Sequence, residues 1–352
     1  MDNTGRKGKV QTVLGIVEPE CLGITLMHEH LLTDLSVFFI EPEAATAREI
    51  AHQLLSIENL FWVRYNPTDN IDNLKLTDEN LISKEAMRFK LAGGQTIVEM
   101  SNNGLCRDPL GLSRISRSTG LHIIMGTGFY IAKSQKFETL SLKTDELAEK
   151  IIAEIDRGVG NTGIKAGIIG EVGCNAPLED FEKKSLQAAS IAQEETGALL
   201  AIHPSHKDDL VLEDVRILKE AGANLCRVVI SHVDFNNFSE KILHQLLDQG
   251  CCIEYDTFSI EGYHPPYWGY HINLPTDEQR IKAIIKLIGE GFIKQILIAT
   301  DHCQKYHLTS YGGGGYDHII RNAIPLMKIN GMDDEKINTI LIENPKRLLA
   351  FA

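Results

Sequence analysis

Leu199-Leu200-Ala201-Ile202-His203 is a short apolar run that ends on a histidine. An amphipathic stretch, 210–221, follows it, and Val228-Val229-Ile230-Ser231-His232 then repeats the run and its terminal histidine. Continuous apolarity over four to six residues is what a strand buried on both faces of a parallel sheet requires, and the intervening stretch supplies the crossover helix. Working outward, the same rhythm places further runs at 24–27, 96–100, 122–125, 167–171, 252–255 and 296–301. The total is eight. Between them, 178–195 and 240–247 carry helical apolar periodicity, with Gly222 and Gly250 at C-cap positions and Thr276 as the N-cap of the helix before the last run.

Strand–helix alternation repeated eight times predicts an α/β fold of the (β/α)8 TIM-barrel type, preceded by a short extended pair at 10–17. An open doubly wound sheet would normally show a glycine-rich phosphate turn after its first strand, and none is present. No domain boundary stands out, so 1–352 reads as a single domain. Long loops are expected at the C-terminal face. One insertion, 31–75, carries a helix at 47–61; an aromatic loop, 259–275, is a lid or pocket wall, or a surface loop whose rings pack together. Gly312-Gly313-Gly314-Gly315 lacks the lysine of a phosphate cradle and reads as a turn.

Composition narrows the partners. With 35 Lys+Arg against 48 Asp+Glu the net charge is −13, which argues against nucleic acid and leaves small molecules and cations. Hydrophobic residues at 43 % and charged residues at 24 % support a large core. No apolar run is long enough to span a bilayer, and the N-terminus lacks the apolar run of a signal peptide. Seven cysteines, an odd number without a C-x-x-C pair, read as reduced core residues of a cytoplasmic protein.

Chemistry concentrates where the runs end. His28 and His30 are spaced i, i+2, so both imidazoles share one side of a strand while Glu29 points away. Glu171, His203, His232 and Asp301 end four other runs, and in a (β/α)8 barrel all these ends meet at one rim. Nitrogen and oxygen donors suit borderline divalent ions, Zn²⁺ first, with Mn²⁺, Co²⁺ or Ni²⁺ as alternatives. Six ligands exceed one tetrahedral ion and suit two, with Glu171 as the bridging carboxylate. Asn102 and Asn103 are candidate substrate contacts, and Asp234 is a substrate-contacting or positioning acid. His52, His122, His244, His302 and His307 carry no comparable signal.

With Lys9-Val10-Gln11-Thr12-Val13-Leu14-Gly15, Gly23-Ile24-Thr25-Leu26-Met27-His28-Glu29-His30-Leu31, Lys165-Ala166-Gly167-Ile168-Ile169-Gly170-Glu171-Val172-Gly173-Cys174 and Glu343-Asn344-Pro345-Lys346, the chain resembles the phosphotriesterase family of the amidohydrolase superfamily. It is most similar to the group of phosphotriesterase-related proteins. The resemblance implies that His28, His30 and Asp301 bind a buried ion and that His203 and His232 hold a more exposed one. It also implies a metal-bridging hydroxide as nucleophile, Asp301 as proton carrier, Tyr130 facing the exposed ion, and a homodimer. Two departures stand out: Glu171 replaces the carboxylated lysine of the best-studied enzymes, and Thr257 replaces a histidine after Asp256. The leading expectation is therefore a binuclear hydrolase of a small carboxylic ester, lactone or N-acyl amide. Phosphotriester hydrolysis is the first alternative, and a non-catalytic metal- or ligand-binding barrel the second.

Overall fold

The computed structural model describes residues 5–267 and 270–352. Eight parallel strands form one sheet: β1 Thr25–Glu29, β2 Thr96–Glu99, β3 His122–Thr127, β4 Ile168–Gly173, β5 Leu200–His203, β6 Val228–Ile230, β7 Cys252–Tyr255 and β8 Ile296–Ile298. Their order in the sheet is their order in the chain. The β5–β6 register, Val228↔Leu200 and Ile230↔Ile202, is typical of the parallel pairs.

Side-chain alternation explains why these runs are apolar throughout. One cluster takes a single residue from every strand: Met27, Val98, Ile124, Ile168, Ala201, Val229, Cys252 and Leu297. Eight such residues touch only if the strands curve around a common axis, so this set is the barrel interior. Their neighbours Leu26, Ile97, Ile123, Ile169, Ile202, Ile230, Ile253 and Ile298 belong to the larger cluster shared with the helices. Val10 and Leu22 join the interior set from the N-terminal segment, whose hairpin pairs Val10–Thr12 with Gly15–Val17.

Closure falls to β1 and the residues after β8. The Asp301 N–H donates to the His28 carbonyl at 3.1 Å. Beside it the buried Glu29 carboxylate accepts from Thr300 N (2.8 Å), Thr300 Oγ1 (2.7 Å) and His302 N (3.0 Å). Glu29 thus points away from the site, as the i, i+2 spacing predicts. Its role is to lash the last strand to the first.

Helices Asp180–Thr196, Asp208–Glu220, Glu240–Asp248 and Asp277–Gly289 occupy the predicted stretches. Gly222 and Gly250 adopt the left-handed conformation expected past a helix end (φ 91° and 97°). Thr276 caps its helix by accepting from Gln279 N at 3.3 Å. Two expectations change. The insertion holds two short helices, Ala45–Ala51 and Leu60–Tyr65, in place of one spanning 47–61. Between them Asn59 accepts from Ser56 N and donates to Leu54 O, both at 2.9 Å, a local side-chain pattern that competes with helix. The aromatic loop is in part a hairpin, Gly262–Tyr267 with Tyr270–Leu274. Trp268 and Gly269 lie outside the described residues, as do the side chains of 263–272 on which the lid reading rests. At the glycine run, a Cβ on Gly313 would meet the His307 carbonyl oxygen at 2.1 Å, so the chain passes too close there for any side chain.

Candidate metal centre

Five strands deliver six side chains to one mouth. His28 lies within β1 and His30 one residue past it; Glu171 lies within β4, and His203 is the last residue of β5. β6 and β8 are shorter than their apolar runs. His232 and Asp301 stand beyond them in the left-handed region, at φ 56° and 44°. Such a backbone costs about 1–3 kcal/mol per residue and persists where surrounding bonds over-determine it. At His232 the Asp256 carboxylate accepts the backbone N–H at 2.8 Å and the ring Nδ1–H at 3.0 Å. At Asp301 the bond to His28 does the same work.

Glu171 sits at the centre. One of its oxygens is 3.2 Å from His30 Nε2. The other is 3.2 Å from His203 Nδ1, 3.2 Å from His232 Nε2 and 3.7 Å from His28 Nε2. Asp301 Oδ1 lies 3.3 Å from His30 Nε2 and 3.9 Å from His28 Nε2. His28, His30 and Asp301 form one set whose ligand atoms converge, and His28, Glu171 and His232 form another. All six sequence-predicted ligands are therefore brought together.

The electrostatics describe a site that demands positive charge. Burial works against ionising Glu171, but the imidazole of His28 and hydrogen bonds from His203 and His232 hold its carboxyl well below the usual range. Burial likewise opposes charge on His30, yet Asp301 and Glu171 push it up to about 9. His28 is also held above the usual range, through Glu171 and Glu254, and His232 through Asp256; His203 is lowered by burial. His28 Nε2 is buried and has no hydrogen-bond partner, although it faces Glu171 and Asp301. Four imidazole nitrogens and two carboxylates around such an atom fit a pair of divalent ions.

Behind His28, His30 and His232 the remaining ring nitrogens are engaged, the arrangement usual for metal-binding histidines. His30 Nδ1 meets Ser101 Oγ at 2.9 Å and His28 Nδ1 meets Ser231 Oγ at 3.2 Å, whereas on His203 the inward Nδ1, the nitrogen that faces Glu171, is the one that also lies 3.3 Å from the Tyr130 hydroxyl. A cleft of about 700 Å³, counted out to solvent, opens above them. Its walls include Leu35, Leu105, Tyr130, Phe235, Ile260 and Tyr306.

The other candidates separate by place. Tyr130 lines the cleft. Asp234 does not line it: its carboxylate accepts from Asp256 N (3.2 Å), Thr257 N (3.1 Å), Thr257 Oγ1 (2.6 Å) and Arg280 Nε (2.6 Å). With those acceptor sites filled, its geometry is that of a positioning group. Arg280, itself fully buried, also binds Asp277 at 3.0 Å, so the end of β7 is fixed by ion pairs whose single breakage is costly. Asn102 Nδ2 donates to the Glu171 carbonyl and Asn103 Nδ2 to the Gly128 carbonyl, so both amides hold backbone. His52 and His244 pair with surface glutamates, and His302 packs behind the cleft on Ser259 Oγ at 2.9 Å. His307 does reach the cleft wall. Sequence reading missed Asp256, Glu254 and His206. His206 borders the cleft, its ring edge-on to His203 with centroids 5.1 Å apart and its Nδ1 2.5 Å from Asn236 Oδ1. Two acids at i, i+2 in an otherwise apolar strand, Glu254 and Asp256, were the available signal.

A barrel whose strand ends carry this donor set defines a metal-centre hydrolase architecture, and the chain belongs to the phosphotriesterase family, matched over residues 8–349. It is a hydrolase. It is 40 % identical over 368 residues to the N-acetyltaurine hydrolase of Dictyostelium discoideum, covering 99 % of each chain. It is also 40 % identical over 345 residues to the N-acetyltaurine hydrolase of Bos taurus, covering 98 % of each. Among solved structures it resembles a resiniferatoxin-binding protein from Rhodobacter sphaeroides, with a TM-score of 0.93, 32 % identity, and coverage of 97 % of this chain and 95 % of that one. Among the described residues no helix is long and apolar enough to cross a membrane.

Proposed function

We propose that this protein hydrolyses a small N-acyl amide, the class to which N-acetyltaurine belongs, with two divalent ions, Zn²⁺ first, held by His28, His30, Glu171, His203, His232 and Asp301. The observation that carries the reading is that six donor side chains from five strands meet, with all four imidazoles 3.2 to 3.7 Å from Glu171 and those of His28 and His30 3.9 and 3.3 Å from Asp301. The N-acetyltaurine hydrolase activity of the relatives favours the amide over the ester or lactone. Ions in this place supply Lewis acidity and bring the pKa of water toward neutrality.

The chain's own groups divide the remaining work. His28, His30 and His232 orient Nε2 inward because Ser231, Ser101 and Asp256 occupy Nδ1, while His203 turns Nδ1 inward, between Glu171 and the Tyr130 hydroxyl. Asp301 is the proton carrier, accepting the nucleophile's proton and returning it to the leaving amine. The Tyr130 hydroxyl, beside His203, contacts the acyl group. Leu35, Leu105 and Ile260 exclude water from the bound substrate.

The direct test loads the protein with Zn²⁺ or Mn²⁺ and presents N-acetyltaurine, other N-acyl amides, simple esters, lactones and a phosphotriester. The amides are expected to be turned over fastest, and dialysis against a chelator to abolish turnover. Activity unchanged after full metal removal, or a phosphotriester outpacing every acyl compound, would reverse the reading.

Residues 1–352 are read as one domain, a cytoplasmic protein whose seven cysteines are free, and cell fractionation checks the compartment. The homodimer is supported by Leu54, Ile57 and Phe61, exposed to 76, 85 and 76 % on the insertion. Sedimentation velocity is expected to give a dimer that Phe61→Glu with Ile57→Glu dissociates; a monomeric wild type would end that proposal.

A further inference from the structure

One buried acid beneath the site has no part in the ligand set. Glu254, in β7, is fully buried with its side chain under His28. Its Oε2 lies 3.4 Å from His28 Nδ1 and 3.3 Å from Ser231 Oγ, while its Oε1 has no hydrogen-bond partner. Asp256 Oδ2, two residues on, stands 3.6 Å from the same His28 nitrogen. Three acceptors, the two carboxylates and the Ser231 hydroxyl oxygen at 3.2 Å, therefore surround Nδ1. A nitrogen in that setting carries the proton, which leaves the lone pair on Nε2, the buried atom that faces Glu171 and Asp301.

A serine alone would fix the tautomer, as Ser101 does for His30 at 2.9 Å. A buried carboxylate with one oxygen unbonded is a costly way to do the same job unless something else compensates its charge. A cation on the far side of the ring does so: it polarises the imidazole, strengthens the Nδ1–H as a donor, and makes a charged acceptor preferable to a neutral one. From this geometry we infer that Glu254 is a positioning residue that sets the affinity of the ion held by His28 and contributes little to the stability of the ion-free fold. The inference rests on the two-ion reading proposed above.

The experiment uses the full chain, stripped of metal and titrated with Zn²⁺ alone against a chromophoric chelator, with the thermal midpoint of the metal-free protein recorded in parallel. Wild type is expected to take up two ions. Glu254→Gln is expected to weaken one of them by about 10–100-fold, the usual consequence of removing such a partner, and to leave the other unchanged. Its metal-free midpoint is expected to stay at or above that of wild type. Glu254→Asp, which keeps the charge on a shorter stem, should recover part of the loss. Ser231→Ala, which leaves both the carboxylate and the imidazole, should weaken the same ion by a few-fold only. A Glu254→Gln protein that binds both ions as tightly as wild type overturns the inference and leaves the two-ion reading standing. So does a variant whose metal-free midpoint and ion affinity fall together with no recovery in Glu254→Asp. A wild type that takes up no ion overturns the two-ion reading itself, and this inference with it. Should Glu254→Gln fail to fold, the Glu254→Asp and Ser231→Ala affinities decide, and wild-type binding in both counts against Glu254.

Discussion

Replacing Asp301 by asparagine is expected to lower kcat by about 10²–10⁴-fold, the span that a positioned proton carrier contributes, while the protein keeps its metal. Asp301 is the ligand candidate with the most solvent access, its side chain 18 % exposed where Glu171 is 3 %. It faces both the ion set and the cleft. An asparagine amide oxygen can still meet an ion, and its backbone N–H can still donate to His28, but it neither accepts the nucleophile's proton nor returns it. Metal analysis beside steady-state kinetics on an N-acyl amide reads both halves of the expectation. A variant retaining more than a tenth of kcat would show that the proton travels by another route. Metal lost in parallel with activity would make Asp301 chiefly a ligand.

The second large effect belongs to Glu171. Glu171→Gln takes negative charge from the one group that touches all four imidazoles, at 3.2 to 3.7 Å. Metal content is expected to fall from two ions per chain to one or none, with turnover dropping to background. A related expectation concerns loading. Glutamate is anionic without CO₂, so restoring metal to the stripped wild type is expected to proceed equally well with and without bicarbonate. Two ions retained by Glu171→Gln, or a bicarbonate requirement in wild type, would remove Glu171 from the bridging position.

The barrel and the candidate donors at its mouth were legible for one reason: strands buried on both faces cannot hide a polar residue, so a histidine or acid at the end of an apolar run stands out. His203 and His232 showed this most plainly, and the spacing of His28 and His30 added direction. The same logic applied to Glu254 within β7 and Asp256 just past its end, but acids in such a run read as noise until the fold shows them beneath two imidazoles. Asp234 was legible as an acid near the site and not as a partner of Arg280, because that pairing joins the β6 loop to a helix 46 residues later. The turn into left-handed backbone at His232 and Asp301 has no signature in single residues; it depends on Asp256 and His28 being in place. The break in the insertion was missed because apolar periodicity continues across Asn59, whose local hydrogen bonds stop the helix.

Glu29 and Thr300, bound to each other, lie 271 residues apart in the chain. The lashing of β8 to β1 therefore holds together two segments far apart in the chain, and the mouth is complete only once both have been made. Until the segment that bears Asp301 has been made, His28 and His30 lack the acid that stands beside them in the fold. A product that stops short of Asp301 therefore cannot assemble the six-donor mouth.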